Sequence, residues 1–178
     1  ANLVSAYALA LKQHLRNDKN LSEIEELVSA ELYRAASGSA NPPSTIALAM
    51  SRWIQHHQSH GRLDSVTAQG LEAQVRLLID QQGGCERILR TPIPLVYAVH
   101  IKQLVTLYLV TLPFVLVAEM EWLALPLVGV IAFGFLGIEQ AGVEIEDPFG
   151  DGPSDLPLEA ICATITRDAA ALVDAAGR

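Results

Sequence analysis

Positive charge is scarce in this chain. Its 178 residues include 12 Lys and Arg against 20 Asp and Glu, which gives a formal net charge of −8 with neutral histidines. A protein that binds nucleic acid needs a concentrated basic surface to neutralise the phosphates. The shortage of basic residues therefore argues against DNA or RNA as a partner.

Cysteine is rare as well. The two cysteines, Cys85 and Cys162, are far apart and belong to no metal-ligand motif. We expect both to be small buried hydrophobic residues and not a disulfide. The N-terminus is polar within a few residues of Ala1, so no cleavable signal peptide is predicted there. Because the chain does not begin with Met, we expect it to be a piece of a longer protein.

Catalytic motifs are missing: the sequence has no nucleophile elbow, phosphate-binding loop or dinucleotide fingerprint. His56 and His60 are four residues apart and can share a helical face as two metal ligands. However, the His-Glu-x-x-His pattern is absent and no third ligand can be assigned, so with His57 they are interpreted as a solvated helix end. We therefore predict that the chain is not an enzyme.

Apolar sequence is abundant, since 51% of the residues are hydrophobic and only 18% are charged. The tract from Pro92 to Ile138 contains two charge-free runs, Gln103–Ala118 and Trp122–Ile138, of 16 and 17 residues. As helices they would be about 24–26 Å long, a little shorter than the roughly 30 Å hydrocarbon core of a bilayer. The first run extends back to Pro94, because Lys102 near a helix end can snorkel to the interface. We predict a transmembrane helical hairpin; two buried core helices of a soluble protein are the alternative.

Charges at the ends of the hairpin predict its orientation. Arg87 and Arg90 precede the first span, whereas the turn between the spans carries only Glu119 and Glu121. The positive-inside rule therefore places the start of the hairpin on the cytoplasmic side. Trp122 is typical of an interfacial aromatic residue at the opposite face. We predict a multi-pass protein of the inner (cell) membrane with most of this chain in the cytoplasm.

Polar and small residues mark faces of the two spans. His100, Gln103 and Thr106 are spaced by three and share one helical face. A role facing a pore and interhelical hydrogen bonds both explain these three residues. Gly137 and Ala141 are four apart, the spacing of small residues that lets helices approach closely in lipid.

The rest of the chain predicts amphipathic helices, and we expect one all-α domain over 1–178. Cytosolic helices occupy 1–90, the transmembrane hairpin 91–142, and a cytosolic C-terminal segment with a helix 143–178. The cytosolic helices are predicted over Leu3–Arg16, from a Ser22 and Glu25 capping box to Ala36, from Pro42-Pro43 to Gln58 with Trp53 and Ile54 on the apolar side, and over Ser65–Asp80 with an end at Gly83-Gly84. Pro92 and Pro94 are predicted to start or kink the first span.

Two motifs flank the hairpin. Arg90-Thr91-Pro92-Ile93-Pro94-Leu95-Val96-Tyr97 precedes it, and Glu144-Ile145-Glu146-Asp147-Pro148-Phe149-Gly150 follows it, with Asp155-Leu156-Pro157-Leu158 a few residues later. In this order they resemble the bestrophin family, especially its bacterial branch. Weaker similarity extends through Trp53 and Gly61-Arg62-Leu63, so the resemblance covers most of the chain.

The resemblance implies a homopentameric ion channel, mainly helical, that conducts small inorganic ions across a lipid bilayer through a pore on the fivefold axis. The family suggests chloride or other anions, while monovalent cations remain open. Two further transmembrane helices come earlier in that family, one of which lines the neck of the pore, so this chain is expected to be the C-terminal part. A second apolar constriction is implied near Leu63 to Thr67, with Val66 as the nearest match. The alternative is a non-conducting helical scaffold or interaction module.

Some animal members of the family bind calcium just after the hairpin. Calcium takes about six to eight oxygen ligands, and this region offers Asp151 and Asp155 where those relatives have an unbroken acidic run. Both are therefore weak calcium candidates, and we expect no cofactor. We expect Asp155 to cap the last helix instead, with Pro157 in its first turn and Glu159 near its positive end.

Overall fold

The computed structural model describes residues 1–91 and 94–176, and every regular element in these ranges is helical. The α-helices are α1 (Asn2–Leu15), α2 (Ala30–Ser37), α3 (Pro42–Ser59), α4 (Ser65–Arg90), α5 (Leu95–Met120), α6 (Ala124–Glu146) and α7 (Leu158–Ala176), with short 3₁₀ turns at Ser22–Ile24 and Glu121–Leu123. The predicted all-α class is confirmed. Pro92 and Ile93 of the first motif lie outside the described residues.

Two compact units divide the chain. The first, which we call the bundle, contains Ala1–Leu89, Phe149–Asp151 and the segment from Leu156 onward. The second, the hairpin, contains Arg90–Pro148 and Gly152–Asp155. Within the bundle α1 packs against both α3 and α7, and α2 packs against α3; within the hairpin α5 packs against α6. The bundle is therefore built from three separate stretches of sequence.

The core of the bundle forms where apolar side chains recur at helical spacing. Ala6, Tyr7 and Ala10 form the buried stripe of α1, and Ile46 of α3 is fully buried in the same cluster. Burial of an Ile side chain stabilises a fold by about 1.5–3 kcal/mol. Burial also raises the pKa of the Tyr7 hydroxyl to about 12, and this hydroxyl donates a hydrogen bond to the carbonyl of Leu78 on α4 at 2.9 Å. Apolar packing and a buried hydrogen bond together hold α1, α3 and α4 in one core.

Helix α3 begins where the sequence predicted, at Pro42. Its N-cap is Asn41, whose side-chain oxygen accepts from the backbone N–H of Ser44, and prolines occupy the first turn. Ile54 is buried, and Trp53 lines an apolar groove with Met50 and Ile54, so both lie on the apolar side as predicted. Trp53 remains 49% exposed, and its indole also stacks on the ring of His57, with centroids 4.0 Å apart.

The second predicted helix starts later than expected. Leu21 and Ile24 are buried in the core, and the chain between them forms only the 3₁₀ turn. Helix α2 is capped by Ser29, whose hydroxyl accepts from the backbone N–H of Leu32 at 3.3 Å. The capping-box prediction at Ser22 is therefore wrong, because burial of two apolar side chains overrides the local capping preference.

The predicted end of α4 at Gly83-Gly84 is also wrong, since the helix continues to Arg90. Two internal glycines cost about 1 kcal/mol each relative to alanine, and packing on both sides offsets that cost. Gln82 is 3% exposed and its amide donates to Glu86 at 2.8 Å, while Cys85 and Leu89 pack against the core. Contacts made across the glycines keep this stretch helical.

Both cysteines are free thiols, as predicted. Cys162 is buried and its thiol approaches the carbonyl of Ala8 at 3.4 Å, whereas Cys85 is only partly buried. Burial raises the pKa of the Cys162 thiol, which keeps the thiol protonated and unreactive at neutral pH.

The hairpin is long and apolar, and very little of it is buried within this chain. The stretch Leu95–Glu146 meets the length and composition needed to cross a membrane. Pro94 precedes α5, where its carbonyl accepts from the backbone N–H of Tyr97 at 2.8 Å. Tyr108 packs on Phe135 with ring centroids 5.4 Å apart, which joins the two helices. Their remaining surface is apolar and exposed, as expected of a lipid-facing or subunit-facing hairpin.

Candidate functional site

Asp64 fixes the first turn of α4. Its Oδ1 accepts hydrogen bonds from the backbone N–H groups of Val66 and Thr67, both at 2.9 Å, and its Oδ2 accepts from the Thr67 hydroxyl at 2.6 Å. The hydroxyl of Thr67, followed by these backbone donors, lowers the pKa of Asp64 below its usual range. The carboxylate is thus ionised at neutral pH and satisfies orphan amide groups at the helix start.

Val66 projects from this capped turn. Its side chain is 76% exposed, whereas Leu63 packs against the bundle core and the Thr67 hydroxyl is used by Asp64. Of the three constriction candidates, only Val66 presents a free apolar side chain. The geometry therefore favours Val66 over its two neighbours, and the constriction itself stays a prediction.

The loop before Asp64 is set by the end of α3. The carbonyl of His57 accepts from the backbone N–H groups of Arg62 at 2.9 Å and Leu63 at 3.3 Å. Gly61 allows this closure because its φ is +69°, a left-handed value that favours glycine. Asp64 was not predicted from the sequence, although an Asp just before a helix is a recognised N-cap signal.

The polar face of the first span lies on α5. His100, Gln103 and Thr106 are exposed within this chain, and the Thr106 hydroxyl donates to the carbonyl of Lys102 at 2.7 Å. Gln103 and Thr106 line a shared groove on α5, and His100 does not. The back-bonded hydroxyl of Thr106 is satisfied within its own helix, so the pore-facing role of these three residues stays a prediction.

An ion pair between the spans was missed from the sequence. Lys102 on α5 lies 3.2 Å from Glu139 on α6, and the Glu139 side chain is only 20% exposed. The Lys102 side chain is 69% exposed and its ammonium group pairs across the hairpin, and its predicted snorkelling stays a prediction. Charges this far apart in sequence give no local signal of pairing.

The motif after the hairpin is held inside the bundle by Arg16, the residue after α1. Phe149 is buried with Leu15 and Leu158, and Arg16 Nε donates to the carbonyl of Phe149 at 3.2 Å. Arg16 Nη2 lies 3.3 Å from the carbonyl of Gly150. The aromatic ring of the motif is thus a core residue, and its backbone is bound by a cation. Asp147 and Pro148 of the same motif belong to the hairpin.

Arg16 also binds two carboxylates. Its Nη2 lies 2.8 Å from Asp151 Oδ1 and 3.0 Å from Glu159 Oε2, and a second hydrogen bond joins Nη1 to Glu159 Oε1. The guanidinium lowers the pKa of Glu159 to about 2, and the same carboxylate raises the pKa of Arg16. Arg16 therefore carries a bidentate ion pair as well as the two backbone contacts.

The two weak calcium candidates are engaged elsewhere. Asp151 pairs with Arg16, and Asp155 Oδ2 accepts from the backbone N–H of Gly152 at 2.6 Å. The carbonyl of Pro157 accepts from Ile161, so Pro157 is the N-cap of α7 and the predicted capping by Asp155 is wrong. Glu159 lies in the first turn of α7 as predicted. Within residues 1–91 and 94–176 there is no group of three or more His, Cys, Asp or Glu placed to hold a metal.

An all-helical bundle joined to an exposed apolar hairpin defines a helical membrane protein. Comparison with known proteins identifies the family within this class. Residues 1–171 match the model of the bacterial/fungal bestrophin family. The chain therefore belongs to the bestrophin family, as the flanking motifs predicted. Its membrane character, predicted from the apolar tract, agrees with that membership.

Individual relatives are described as channel-forming proteins or as bestrophin homologs. The chain is 42% identical to the voltage-dependent anion channel-forming protein alr2987 of Nostoc sp., covering 94% of this chain and 54% of that protein. It is 41% identical to the voltage-dependent anion channel-forming protein sll1024 of Synechocystis sp., covering 92% and 53%. A crystal structure of a bacterial bestrophin homolog from Klebsiella pneumoniae is 30% identical with a TM-score of 0.88, covering 93% of this chain and 62% of that one. The chain spans about half the length of the curated relatives it matches.

Proposed function

We propose that this chain is part of an anion channel subunit, in which the hairpin lies in the membrane and the bundle forms a cytosolic section of the ion path. Family membership over residues 1–171 carries the proposal. The names of the two cyanobacterial relatives, each described as forming a voltage-dependent anion channel, support conduction of anions over cations. The chain's net charge of −8 does not oppose this, because selectivity depends on the few groups that line the path.

We propose that the channel is a homopentamer and that Val66 forms an apolar constriction around its axis. Val66 is 76% exposed on a turn that Asp64 caps through two backbone hydrogen bonds. A ring of exposed valines would narrow the path with side chains that do not solvate ions, and such constrictions gate by dewetting. The fixed first turn of α4 makes the width of the ring depend on side-chain size.

We also propose the inner membrane as the location, with both ends of the hairpin in the cytoplasm. Arg87 and Arg90 before α5, and only acidic residues between the spans, support this orientation. No catalytic role and no cofactor are proposed for the chain. The 1–90, 91–142 and 143–178 division remains our proposal for its cytosolic, membrane and C-terminal parts.

Current recordings test the proposal. The complete protein, with any sequence that precedes or follows this chain, is reconstituted in planar bilayers with a KCl gradient. A reversal potential near the chloride equilibrium potential supports an anion channel, and one near the potassium potential contradicts the ion sign. No current above protein-free bilayers would leave the non-conducting scaffold as the better hypothesis. The mass of the detergent-solubilised particle is expected to equal five protomers, and a monomer would contradict the assembly.

A further inference from the structure

We propose that His56 and His60 form a binding site for a divalent transition-metal ion, with Cu²⁺ bound more tightly than Zn²⁺. The two residues lie at the end of α3, outside the proposed constriction and the membrane hairpin. Neither the family membership nor the names of the relatives assigns this site. It stands apart from conduction and can fail or succeed independently of it.

The two imidazole rings are already close together. Their centroids lie 4.2 Å apart with the ring planes tilted by 40°. Both side chains are exposed, so an ion can reach them without any movement of the core. Histidines four residues apart on one helical face are the spacing used by known helical metal sites. A pair of this kind bridges one ion through two ring nitrogens.

The hydrogen bond of His60 Nδ1 leaves the other ring nitrogen, Nε2, available to bind a metal. Its Nδ1 lies 2.7 Å from the carbonyl of His56, and a carbonyl only accepts, so Nδ1 carries the proton and donates. Nε2 of His60 then has a free lone pair. Metal-binding histidines commonly donate their second ring N–H to a backbone carbonyl in this way, which fixes the tautomer and the ring orientation. The Ser59 hydroxyl donates to the same carbonyl at 2.9 Å and supports that arrangement.

Arg62 follows the pair by two residues, and its positive charge repels an incoming cation. We therefore expect a moderate affinity and a dependence on ionic strength.

The nitrogen ligands define the class of ion. Two imidazoles suit Cu²⁺, Ni²⁺ and Zn²⁺, whereas Mg²⁺ and Ca²⁺ prefer oxygen ligands. The Irving–Williams order predicts that Cu²⁺ binds more tightly than Zn²⁺ at such a site. Water would complete the coordination, because the pair supplies only two protein ligands.

His57 provides a matched control on the same helix end. Its ring stacks on Trp53 at 4.0 Å and its Nδ1 lies 2.9 Å from the Trp53 carbonyl. Replacement of His57 removes a partly exposed histidine of the same chemistry without removing either proposed ligand. If any histidine near this surface bound the metal, all three variants would lose affinity alike.

The experiment uses the full protein in detergent, free of any histidine tag, titrated with CuCl₂ and separately with ZnCl₂ by calorimetry. Electron paramagnetic resonance of the Cu²⁺ form counts the bound nitrogens. We expect two imidazole nitrogens in the unaltered protein, and a loss of affinity of about tenfold or more in His56→Ala and in His60→Ala. Circular dichroism of each variant confirms that the exposed substitutions leave the helices folded.

The titrations give different results for a specific site at His56 and His60 and for unspecific binding. His57→Ala is expected to bind Cu²⁺ within about twofold of the unaltered protein. Equal loss in His57→Ala, a nitrogen count below two, or binding unaffected by both ligand substitutions would each overturn the proposal. Tighter binding of Ca²⁺ than of Zn²⁺ would contradict an imidazole site.

Discussion

Arg16 and Glu159 form a bidentate ion pair between residues 143 positions apart in sequence, with Nη2 and Oε2 separated by 3.0 Å. Arg16 follows α1, and Glu159 lies in the first turn of α7. The Arg16 side chain is 12% exposed, whereas that of Glu159 is 62% exposed. A largely covered cation thus joins the first and last helices of the bundle and binds the backbone of the motif that follows the hairpin.

Replacement of Arg16 by Ala should destabilise the bundle by about 2 kcal/mol, because the carbonyls of Phe149 and Gly150 lose a charged donor. A thermal melt followed by circular dichroism measures the change. Arg167→Ala is the control, since Arg167 is 74% exposed and pairs with its neighbour Asp168. We expect at most about 0.5 kcal/mol there. Equal effects of the two substitutions would contradict the role of Arg16.

Acid should weaken the bundle through Glu159. Its pKa in the folded protein is lowered to about 2 from a usual value of 4.5, so its contribution to stability is present above about pH 4.5. That contribution is lost as the pH falls from about 4.5 through about 2, because in this range the unfolded state binds a proton on Glu159 that the folded state does not. Thermal melts of the unaltered protein and of Glu159→Gln should therefore converge across this range. A constant difference between the two proteins down to pH 2 would rule out the linkage. Because Glu159 is exposed, high salt should reduce the effect.

Ile46→Ala should destabilise the bundle by about 2–5 kcal/mol, since the side chain is fully buried and its loss leaves a cavity. Leu48→Ala on the same helix is the matched control, because Leu48 is 50% exposed. Urea or thermal unfolding monitored on both variants gives the comparison. Similar stability of the two variants would show that α3 does not pack through Ile46.

Loss of the Asp64 carboxylate should loosen the first turn of α4. In Asp64→Ala the amides of Val66 and Thr67 lose their acceptor, so their hydrogen exchange should become faster. Asp64→Asn keeps a side-chain oxygen and should exchange nearly as slowly as the unaltered protein. Mass spectrometry of a peptide spanning this turn measures both. Unchanged exchange in Asp64→Ala would mean that the cap does not hold the turn.

Val66→Ala should raise single-channel conductance in the complete protein, because a smaller apolar side chain widens the proposed constriction and lowers the barrier to wetting. Leu77→Ala provides the control on the same helix, since Leu77 is 50% exposed and lies far along α4 from Val66. The two variants are compared in bilayers under identical salt. Equal conductance of Val66→Ala and the unaltered channel would move the constriction elsewhere.

The parts of the fold that the sequence predicted well are those set by local rules. The charge-free runs predicted two apolar helices, and Pro42 predicted the start of α3. The predictions at Ser22 and Gly83 failed because each relied on a local signal that burial elsewhere overrides. Burial of Ile24 determines the conformation near Ser22, where a 3₁₀ turn forms in place of the predicted helix start. Packed residues on both sides of Gly83 keep α4 helical through the glycines.

The residues of the candidate site also differ in whether local sequence signals predict them. Val66 could be proposed from its position near Leu63 to Thr67, and Asp64 was within reach of an N-cap rule. Arg16 was not, because its partners lie 133 to 143 positions away and no periodicity links them. The Lys102 and Glu139 pair was missed for the same reason, since it forms between separate helices.

Because α1 packs against α7, the bundle cannot be completed until nearly the whole chain has been made. At roughly 5–20 residues per second, synthesis of the 143 positions from Arg16 to Glu159 takes about 7–30 s. Helices form in well under a millisecond. Helix α1 can therefore form early, but throughout that time it lacks its contacts with α7. The hairpin lies between α1 and α7 in the sequence, so it is synthesised while the bundle still lacks α7.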